Sequence, residues 1–185
     1  AEGDDTTALG SDSEANGDYA TALGGSAYAD DDESTAVGTY AYAGGYASTA
    51  LGSSSDASGD EATALGSYST ADDGGTAVGA YTYADGYESS AFGSYATASG
   101  DEATALGGWA YADGDGSAAV GQWSHSHGDY SVSIGYDSIA VGDGSIALGA
   151  DSTASGDSST TVGDRAQATG NNSTAIGAGA VATQD

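Results

Sequence analysis

The sequence predicts an all-β protein, a parallel β-solenoid of about thirteen 14-residue coils with two short strands in each coil. Three observations support this fold class. A glycine recurs every 14 residues, a second column of Gly or Asp divides each coil in half, and the residues between these columns alternate between small and variable. A fixed period indicates repeated structural units, and alternation is the periodicity of strands and not of helices.

The first column is a glycine that follows an apolar residue. Its intervals are all 14 residues except that between Gly66 and Gly79, which is 13. The missing residue lies in the turn-like run Asp72-Asp73-Gly74-Gly75. The column consists of Gly10, Gly24, Gly38, Gly52, Gly66, Gly79, Gly93, Gly107, Gly121, Gly135, Gly149, Gly163 and Gly177.

The second column divides each coil into two 7-mers of the form x-x-small-x-Ala-x-Gly, with Asp31 and Asp73 among the exceptions to Gly. Gly tolerates positive φ freely and Asp does so better than most residues. We therefore expect a turn with positive φ at both columns. Seven residues are too few for a helix and its connection, so each 7-mer is predicted to be one strand and one turn.

Small side chains occupy the two columns that are predicted to point into the coil. Ala lies two residues before nearly every turn residue, with Ser126, Ser133 and Thr161 as exceptions. Four residues before the turn stands Ala, Ser or Thr, apart from Gly75. Such a narrow core buries little area, so we expect backbone hydrogen bonds between coils to supply most of the cohesion.

An aliphatic or aromatic column faces outward from the first strand of each coil. Thirteen such groups in a row would expose more apolar surface than a soluble monomer tolerates. At ~1.5–3 kcal/mol each, their burial would contribute roughly 20–40 kcal/mol gross per chain. The sequence therefore predicts a homotrimer whose interface is this column: Leu9, Leu23, Val37, Leu51, Leu65, Val78, Phe92, Leu106, Val120, Ile134, Leu148, Val162 and Ile176.

The other outward columns are polar or aromatic. Aromatic residues recur after the first turn glycine and Asp recurs after the second, so coils ~4.8 Å apart should form an aromatic ridge and a carboxylate ladder. Aromatic side chains offer large contact areas with few rotors to order. We therefore predict ligand contact at Tyr81, Tyr83, Tyr95, Trp109, Tyr111 and Trp123.

The charge limits the classes of partner. Twenty-eight acidic residues against one base, Arg165, give a net charge of −27. Nucleic acids and anionic membranes would be repelled, and no apolar stretch is long enough for membrane insertion. The charge fits either solubility in strong brine, as in a halophilic protein, or attraction of cations. Cys is absent, and no signal peptide is evident at Ala1.

Two segments, SVSIGYDSIAVG (131–142) and SIALGADSTASG (145–156), resemble the head repeats of YadA-like trimeric autotransporter adhesins. The resemblance extends over essentially the whole chain. It implies a left-handed parallel β-roll, homotrimeric association and a binding head exposed on the cell surface. We accordingly expect a single head domain over residues 1–185, an extracellular location, and a host-cell or surface receptor or glycan as partner.

Several smaller motifs are candidate sites. His125 and His127 lie one pleat apart on an outward face and are candidate ligands for a transition metal, although two exposed polar residues are the simpler interpretation. Asp113 and Asp115 resemble part of a calcium loop, but position twelve of that loop is Ser124 and not Glu. Weak binding of calcium or other cations is the most we expect, and no cofactor.

Asn171 and Asn172 each begin an N-x-S/T sequon in a turn. In a surface protein these asparagines are candidates for glycosylation. Asn is also a favourable turn residue, so a purely structural role is the alternative.

Three functions compete, and none is enzymatic. Ser, His and Asp cluster at 124–129 but lack a concave surface, so we predict no catalytic residues. The leading hypothesis is an adhesive or receptor-contacting rod in a high-salt environment. The pattern runs to both termini without caps, which also fits end-to-end assembly as a structural spike, decoration or filament subunit of a cell envelope or virion surface. Ice binding ranks last, because the partner column of the outward Thr residues is aliphatic.

Overall fold

The computed structural model describes residues 2–184, which form strands and turns in two compact units. The first unit ends at Tyr95 and the second begins at Ala96. In both, each coil contributes one three-residue strand and one two-residue strand. Strand pairing is parallel in each unit, so the predicted β-solenoid of about thirteen coils is confirmed. The prediction of a single domain over residues 1–185 stays a prediction.

In the first unit, one sheet stacks the odd-numbered strands and the other stacks the even-numbered ones. The strands are β1 (Thr7–Leu9), β2 (Glu14–Ala15), β3 (Thr21–Leu23), β4 (Tyr28–Ala29), β5 (Thr35–Val37), β6 (Tyr42–Ala43), β7 (Thr49–Leu51), β8 (Asp56–Ala57), β9 (Thr63–Leu65), β10 (Thr70–Ala71), β11 (Thr76–Val78), β12 (Tyr83–Ala84) and β13 (Ser90–Phe92).

The second unit repeats this arrangement of two sheets. Its strands are β14 (Thr97–Ala98), β15 (Thr104–Leu106), β16 (Tyr111–Ala112), β17 (Ala118–Val120), β18 (His125–Ser126), β19 (Val132–Ile134), β20 (Ile139–Ala140), β21 (Ile146–Leu148), β22 (Thr153–Ala154), β23 (Thr160–Val162), β24 (Gln167–Ala168), β25 (Thr174–Ile176) and β26 (Val181–Ala182).

Equivalent residues of successive coils lie side by side, and the backbone joins them. Ala8 pairs with Ala22, for example, so each sequence column is also a column in space. The amide of Gly24 donates to the carbonyl of Leu9 at 2.9 Å, and such bonds recur from coil to coil in both units. The predicted backbone hydrogen bonds between coils are therefore present, and they pair the backbone polar groups of the strands. Their share of the cohesion stays a prediction.

The core is made of small side chains, as predicted. The inward Ala residues are almost all fully buried, and Ser133 and Thr161 are accommodated in the same column. Some core hydroxyls bond to a turn carbonyl, as Ser124 does to Gly121 at 2.9 Å. Others, including the hydroxyl of Ser48, have no hydrogen-bond partner among the described residues. There is no room for larger groups, because Thr82 and Thr161 are the largest fully buried side chains in the described chain.

The prediction of positive φ at both turn columns is wrong for the second column. Gly10 has a φ of 149°, but Gly114 and its equivalents do not adopt positive φ. A Cβ at Gly114 would instead collide with the carbonyl of Gly128 in the next coil. Glycine is therefore favoured in this column because the coils approach closely, although Asp31 occupies one of its positions. The left-handed conformation falls on the second residue after each turn column, for example Tyr40 at φ 58°.

The 13-residue coil also differs in detail from the expectation. The carboxylate of Asp73 accepts a hydrogen bond from the amide of Asp60 at 3.1 Å. The amide of Gly74 donates to the carbonyl of Asp60 at 2.9 Å. Asp73 therefore belongs to the carboxylate ladder and not to the second turn column, and the residue lost from this coil lies before Asp72.

Candidate functional site

The predicted interface column forms an apolar stripe on the outside of each unit. The strands alternate between a buried central Ala and more exposed flanking residues, so the stripe faces away from the core. Leu51 and Leu106 are each 48% exposed, and Ile134 is 44% exposed. The outward direction is confirmed. Association into a trimer stays a prediction.

The apolar stripe divides between the two units. Its members in the first unit are Leu9, Leu23, Val37, Leu51, Leu65, Val78 and Phe92, and in the second unit Leu106, Val120, Ile134, Leu148, Val162 and Ile176. Seven of these thirteen side chains are at least 37% exposed, so each unit carries exposed apolar groups above a filled core.

The predicted aromatic ridge consists of stacked rings at the turn after the first strand. In the first unit, the ring centroids of Tyr68 and Tyr81 are 4.9 Å apart and those of Tyr81 and Tyr95 are 5.0 Å apart. In the second unit, Trp109 and Trp123 stack at 5.0 Å with an interplanar angle of 3°. Each ring covers one face of its neighbour, so stacking reduces the area of ring face that is open to contact.

The other two predicted contact residues lie on a different surface. Tyr83 in β12 and Tyr111 in β16 belong to second strands, and Tyr83 is 38% exposed. Tyr111 contacts the rings of His125 and His127 at centroid distances of 6.0 and 5.8 Å. The six predicted ligand residues therefore do not form one cluster, and their role in ligand contact stays a prediction.

The carboxylate ladder has a structural role that the sequence reasoning missed. The amide of Asp115 donates to the carboxylate of Asp129 at 3.1 Å. The amide of Asp129 in turn donates to the carboxylate of Asp143 at 3.2 Å. Each carboxylate thus accepts the turn amide of the preceding coil. Asn171 does the same for Asp157 at 3.1 Å, so an uncharged side-chain oxygen can serve as the acceptor. The preference of Asx side chains for backbone amides in turns was the available signal.

The structure brings together only part of the candidate metal set. Nδ1 of His127 lies 2.9 Å from Oδ1 of Asp113, and the rings of His125 and His127 are 5.7 Å apart. Asp115 belongs to the carboxylate ladder instead. Over residues 2–184, no three or more His, Asp or Glu side chains form a group that could hold a metal ion.

Burial also alters the charge state of this cluster. Desolvation, followed by the neighbouring His127, lowers the pKa of His125, although Asp137 and Asp113 oppose this effect. The His125 imidazole is therefore held more strongly in its neutral form than an exposed histidine. Neutral imidazole is the form that binds metals.

An acidic depression marks the 13-residue coil in the first unit. It has a volume of about 310 Å³ and is lined by Ser58, Gly59, Asp72, Asp73, Asp85 and Tyr87. Burial is the main cause of the raised pKa values of Asp56 and Asp85, and Asp72 adds to both. Oδ1 of Asp56 is buried without a hydrogen-bond partner among the described residues. The shortened interval between Gly66 and Gly79 was the sequence signal for this irregularity.

The two sequon asparagines lie at an exposed turn. Asn171 uses its side-chain oxygen in the ladder, and Asn172 adopts a left-handed φ of 56°. Both side chains are exposed, and glycosylation stays a prediction. Among residues 2–184, the structure contains no helix with the length and apolar character needed to cross a membrane.

Comparison with known proteins gives a family. The model of the YadA head domain repeat, which spans two copies, matches along both units. The matched segments are residues 1–27, 15–41, 43–69, 73–96, 84–110, 98–124, 112–138, 126–152, 140–166, 154–180 and 168–185. A search of curated proteins gives no match.

Among solved structures, the chain is similar to the collagen-binding domain of the Yersinia adhesin YadA, with 20% identity and a TM-score of 0.42. That match covers 76% of this chain and 64% of the Yersinia chain. The family assignment therefore depends on the repeat model, which matches far more than half of the sequence. The 14-residue coil with its buried Ala column and outward apolar stripe belongs to the YadA head domain repeat family.

Proposed function

We propose that the chain is the head of a homotrimeric surface adhesin that works in a high-salt environment and carries out no catalysis. The observation that carries this proposal is the apolar stripe, which faces outward from a core that is already filled. Membership of the YadA head repeat family supports an adhesin function and exposure at the cell surface.

The size of the apolar stripe supports self-association. Leu51 is 48% exposed, which corresponds to on the order of 80 Å² and to ~2 kcal/mol if that area is buried. Seven of the thirteen stripe residues are between 37% and 70% exposed. Their burial would contribute roughly 10–15 kcal/mol gross per chain, against an association cost of ~4–15 kcal/mol. A second or third copy of the same stripe is the simplest partner, because it presents a matching row of apolar groups at the same spacing.

The aromatic stacks are the proposed contact surface for a receptor. Sugars pack on the faces of aromatic rings, and in these stacks each ring has at least one face covered by its neighbour. Ring edges and tyrosine hydroxyls are available for contact with a receptor, and they suit a protein surface better than a glycan. The net charge of −27 further favours a basic partner.

Attachment measurements in about 1 M NaCl test this proposal, a concentration at which the screening length is ~3 Å. Immobilised collagen, the ligand in the description of the Yersinia structure, is the first probe, and a glycan array is the second. We expect Trp109→Ser with Trp123→Ser to weaken attachment at least several-fold. The matched control is Tyr28→Ser with Tyr42→Ser, which removes a stacked pair from the second-strand surface.

The outcomes distinguish the adhesin from the structural alternative. Weaker attachment of the tryptophan variant alone supports receptor contact at the aromatic stacks. Equal loss in both variants moves the site elsewhere. A parent chain that attaches to neither probe favours a spike, decoration or filament subunit without a dedicated ligand.

A further inference from the structure

A histidine pair in the second unit has the geometry of a metal-binding site that the adhesin function does not use. We propose that His125 and His127 bind a divalent transition metal ion, Cu²⁺ most tightly, and that Asp113 orients His127 for this purpose. The inference is independent of the proposed receptor contact, because it concerns the outward surface of β18 and not the turn stacks.

The distance between the two rings fits one shared ion. A metal–nitrogen bond is ~2.0 Å, and a ring centroid lies about 1 Å farther, so two imidazoles on one ion have centroids roughly 4.5–6.4 Å apart. The observed distance is 5.7 Å, with an interplanar angle of 27°. Rotation about the second side-chain torsion of histidine costs little, so His125 can align with an ion that His127 holds.

Asp113 determines which nitrogen of His127 is available. Its Oδ1 is 2.9 Å from Nδ1 of His127, so Nδ1 carries the proton and donates it to the carboxylate. Nε2 is then left as the lone-pair donor. A carboxylate behind a ligating histidine fixes the tautomer and makes the ring a stronger ligand. Asp113 is a positioning residue in this arrangement.

The environment favours a cation at this position. The Asp113 carboxylate lies 2.9 Å from the His127 ring, and Asp113 and Asp137 supply negative charge beside the pair. The chain as a whole adds a strongly negative field. Tyr111 borders both rings at 6.0 and 5.8 Å and shields one side of the pair from water.

The number of ligands selects the metal. The described residues provide two imidazoles and no third converging acid or histidine, so the remaining positions belong to water. A closed tetrahedral zinc site needs four ligands, whereas Cu²⁺ accepts a tetragonal set of two nitrogens and several oxygens. Cu²⁺ also heads the order of affinities for imidazole sites.

Titration of the untagged full chain with Cu²⁺, followed by calorimetry and electron paramagnetic resonance, tests the proposal. Millimolar calcium is included to occupy the oxygen-only carboxylate sites. We expect one copper equivalent with coupling from two nitrogens. His125→Gln and His127→Gln should each weaken binding about tenfold or more and leave coupling from one nitrogen.

The variant Asp113→Asn tests the positioning role, and Asp115→Asn is its matched control. Asp115 lies two residues away and bonds to the turn amide of Asp101, so it should not affect copper. We expect several-fold weaker binding in Asp113→Asn and no change in Asp115→Asn. The role of Asp113 would be overturned if both substitutions weakened copper binding equally, or if Asp113→Asn left copper binding unchanged. Copper that stays bound without nitrogen coupling when both histidines are replaced would overturn the site.

Discussion

Replacing one ladder carboxylate by Asn separates the charge of the carboxylate ladder from its hydrogen bonds. Asp129 is suited to this test because its carboxylate accepts the amide of Asp115 at 3.1 Å, and Asp143 lies in the next coil. Asn171 shows that the amide oxygen of Asn makes the same bond. Asp129→Asn therefore keeps the acceptor and removes one charge.

The magnitude follows from the spacing of the coils. Two unit charges ~4.8 Å apart repel by ~0.9 kcal/mol in water, so the two neighbours of Asp129 together contribute ~1.7 kcal/mol of repulsion. The loss of charge assistance in one exposed hydrogen bond offsets ~0.5–1 kcal/mol of this gain. We expect Asp129→Asn to raise the free energy of unfolding by ~0.7–1.2 kcal/mol in dilute buffer. At ~1 M salt, where the screening length is ~3 Å, the difference should vanish.

The assay is thermal unfolding of the parent chain, Asp129→Asn and Asp129→Ala between about 0.05 and 3 M NaCl. The melting temperature of the parent should rise steeply with salt. Asp129→Ala removes the acceptor, so its cost of ~0.5–1.5 kcal/mol should persist at high salt. If the parent profile is flat, or if Asp129→Asn is no more stable than the parent in dilute buffer, charge repulsion does not govern the stability of the ladder. A rise that is complete at millimolar calcium would indicate specific cation sites instead.

Three further predictions concern the core, the turns and the acidic depression. Ala64→Leu should destabilise by ~1–3 kcal/mol or more in denaturant unfolding because Ala64 is fully buried, whereas Ala64→Ser should be tolerated because Ser133 occupies the same column. Ala47→Gly should raise the free energy of unfolding by ~0.5–1 kcal/mol, because Ala47 has a φ of 51° at a position where another coil has Gly116. An unchanged free energy of unfolding would show that the backbone of Ala47 is not strained. Burial raises the pKa of the Asp56 carboxyl, because the folded protein disfavours its charged form. The folded protein therefore loses stability as the pH rises through that pKa and Asp56 ionises. Asp56→Asn should therefore melt at a higher temperature than the parent at pH 7 and at the same temperature below about pH 4, and an equal difference at both pH values would contradict this.

The fold followed from the sequence because the period leaves few alternatives. The alternation around Ala50, between Thr49 and Leu51, predicts which groups are buried without any knowledge of the turns. The 14-residue spacing likewise predicts that Tyr81 and Tyr95 stack, since one coil separates them. The period therefore predicts which residues of successive coils lie side by side, and this predicts most of the residues that are exposed on each surface.

The details that sequence reasoning missed depend on backbone geometry. The pattern does not reveal that Gly10 is needed both for positive φ and for close approach between coils, whereas Gly114 is needed for close approach alone. It also does not reveal that the Asp129 carboxylate bonds to a backbone amide of another coil. The pairing of His127 with Asp113 was accessible, because they are 14 residues apart. The sequence reasoning instead placed Asp113 with Asp115 in a calcium-like loop and did not pair it with His127.

The measurement that tests the central claim most directly is the oligomeric state by sedimentation equilibrium in about 1 M NaCl, where repulsion between chains is screened. We compare the parent chain with Leu51→Asp, Leu65→Asp and Leu106→Asp combined. The matched control adds the same charge to the other sheet through Thr70→Asp, Thr97→Asp and Thr153→Asp. We predict a trimer for the parent and the control, and monomers or aggregates for the stripe variant. A monomeric parent, or a stripe variant that remains trimeric, would contradict the assignment of the apolar stripe as the subunit interface.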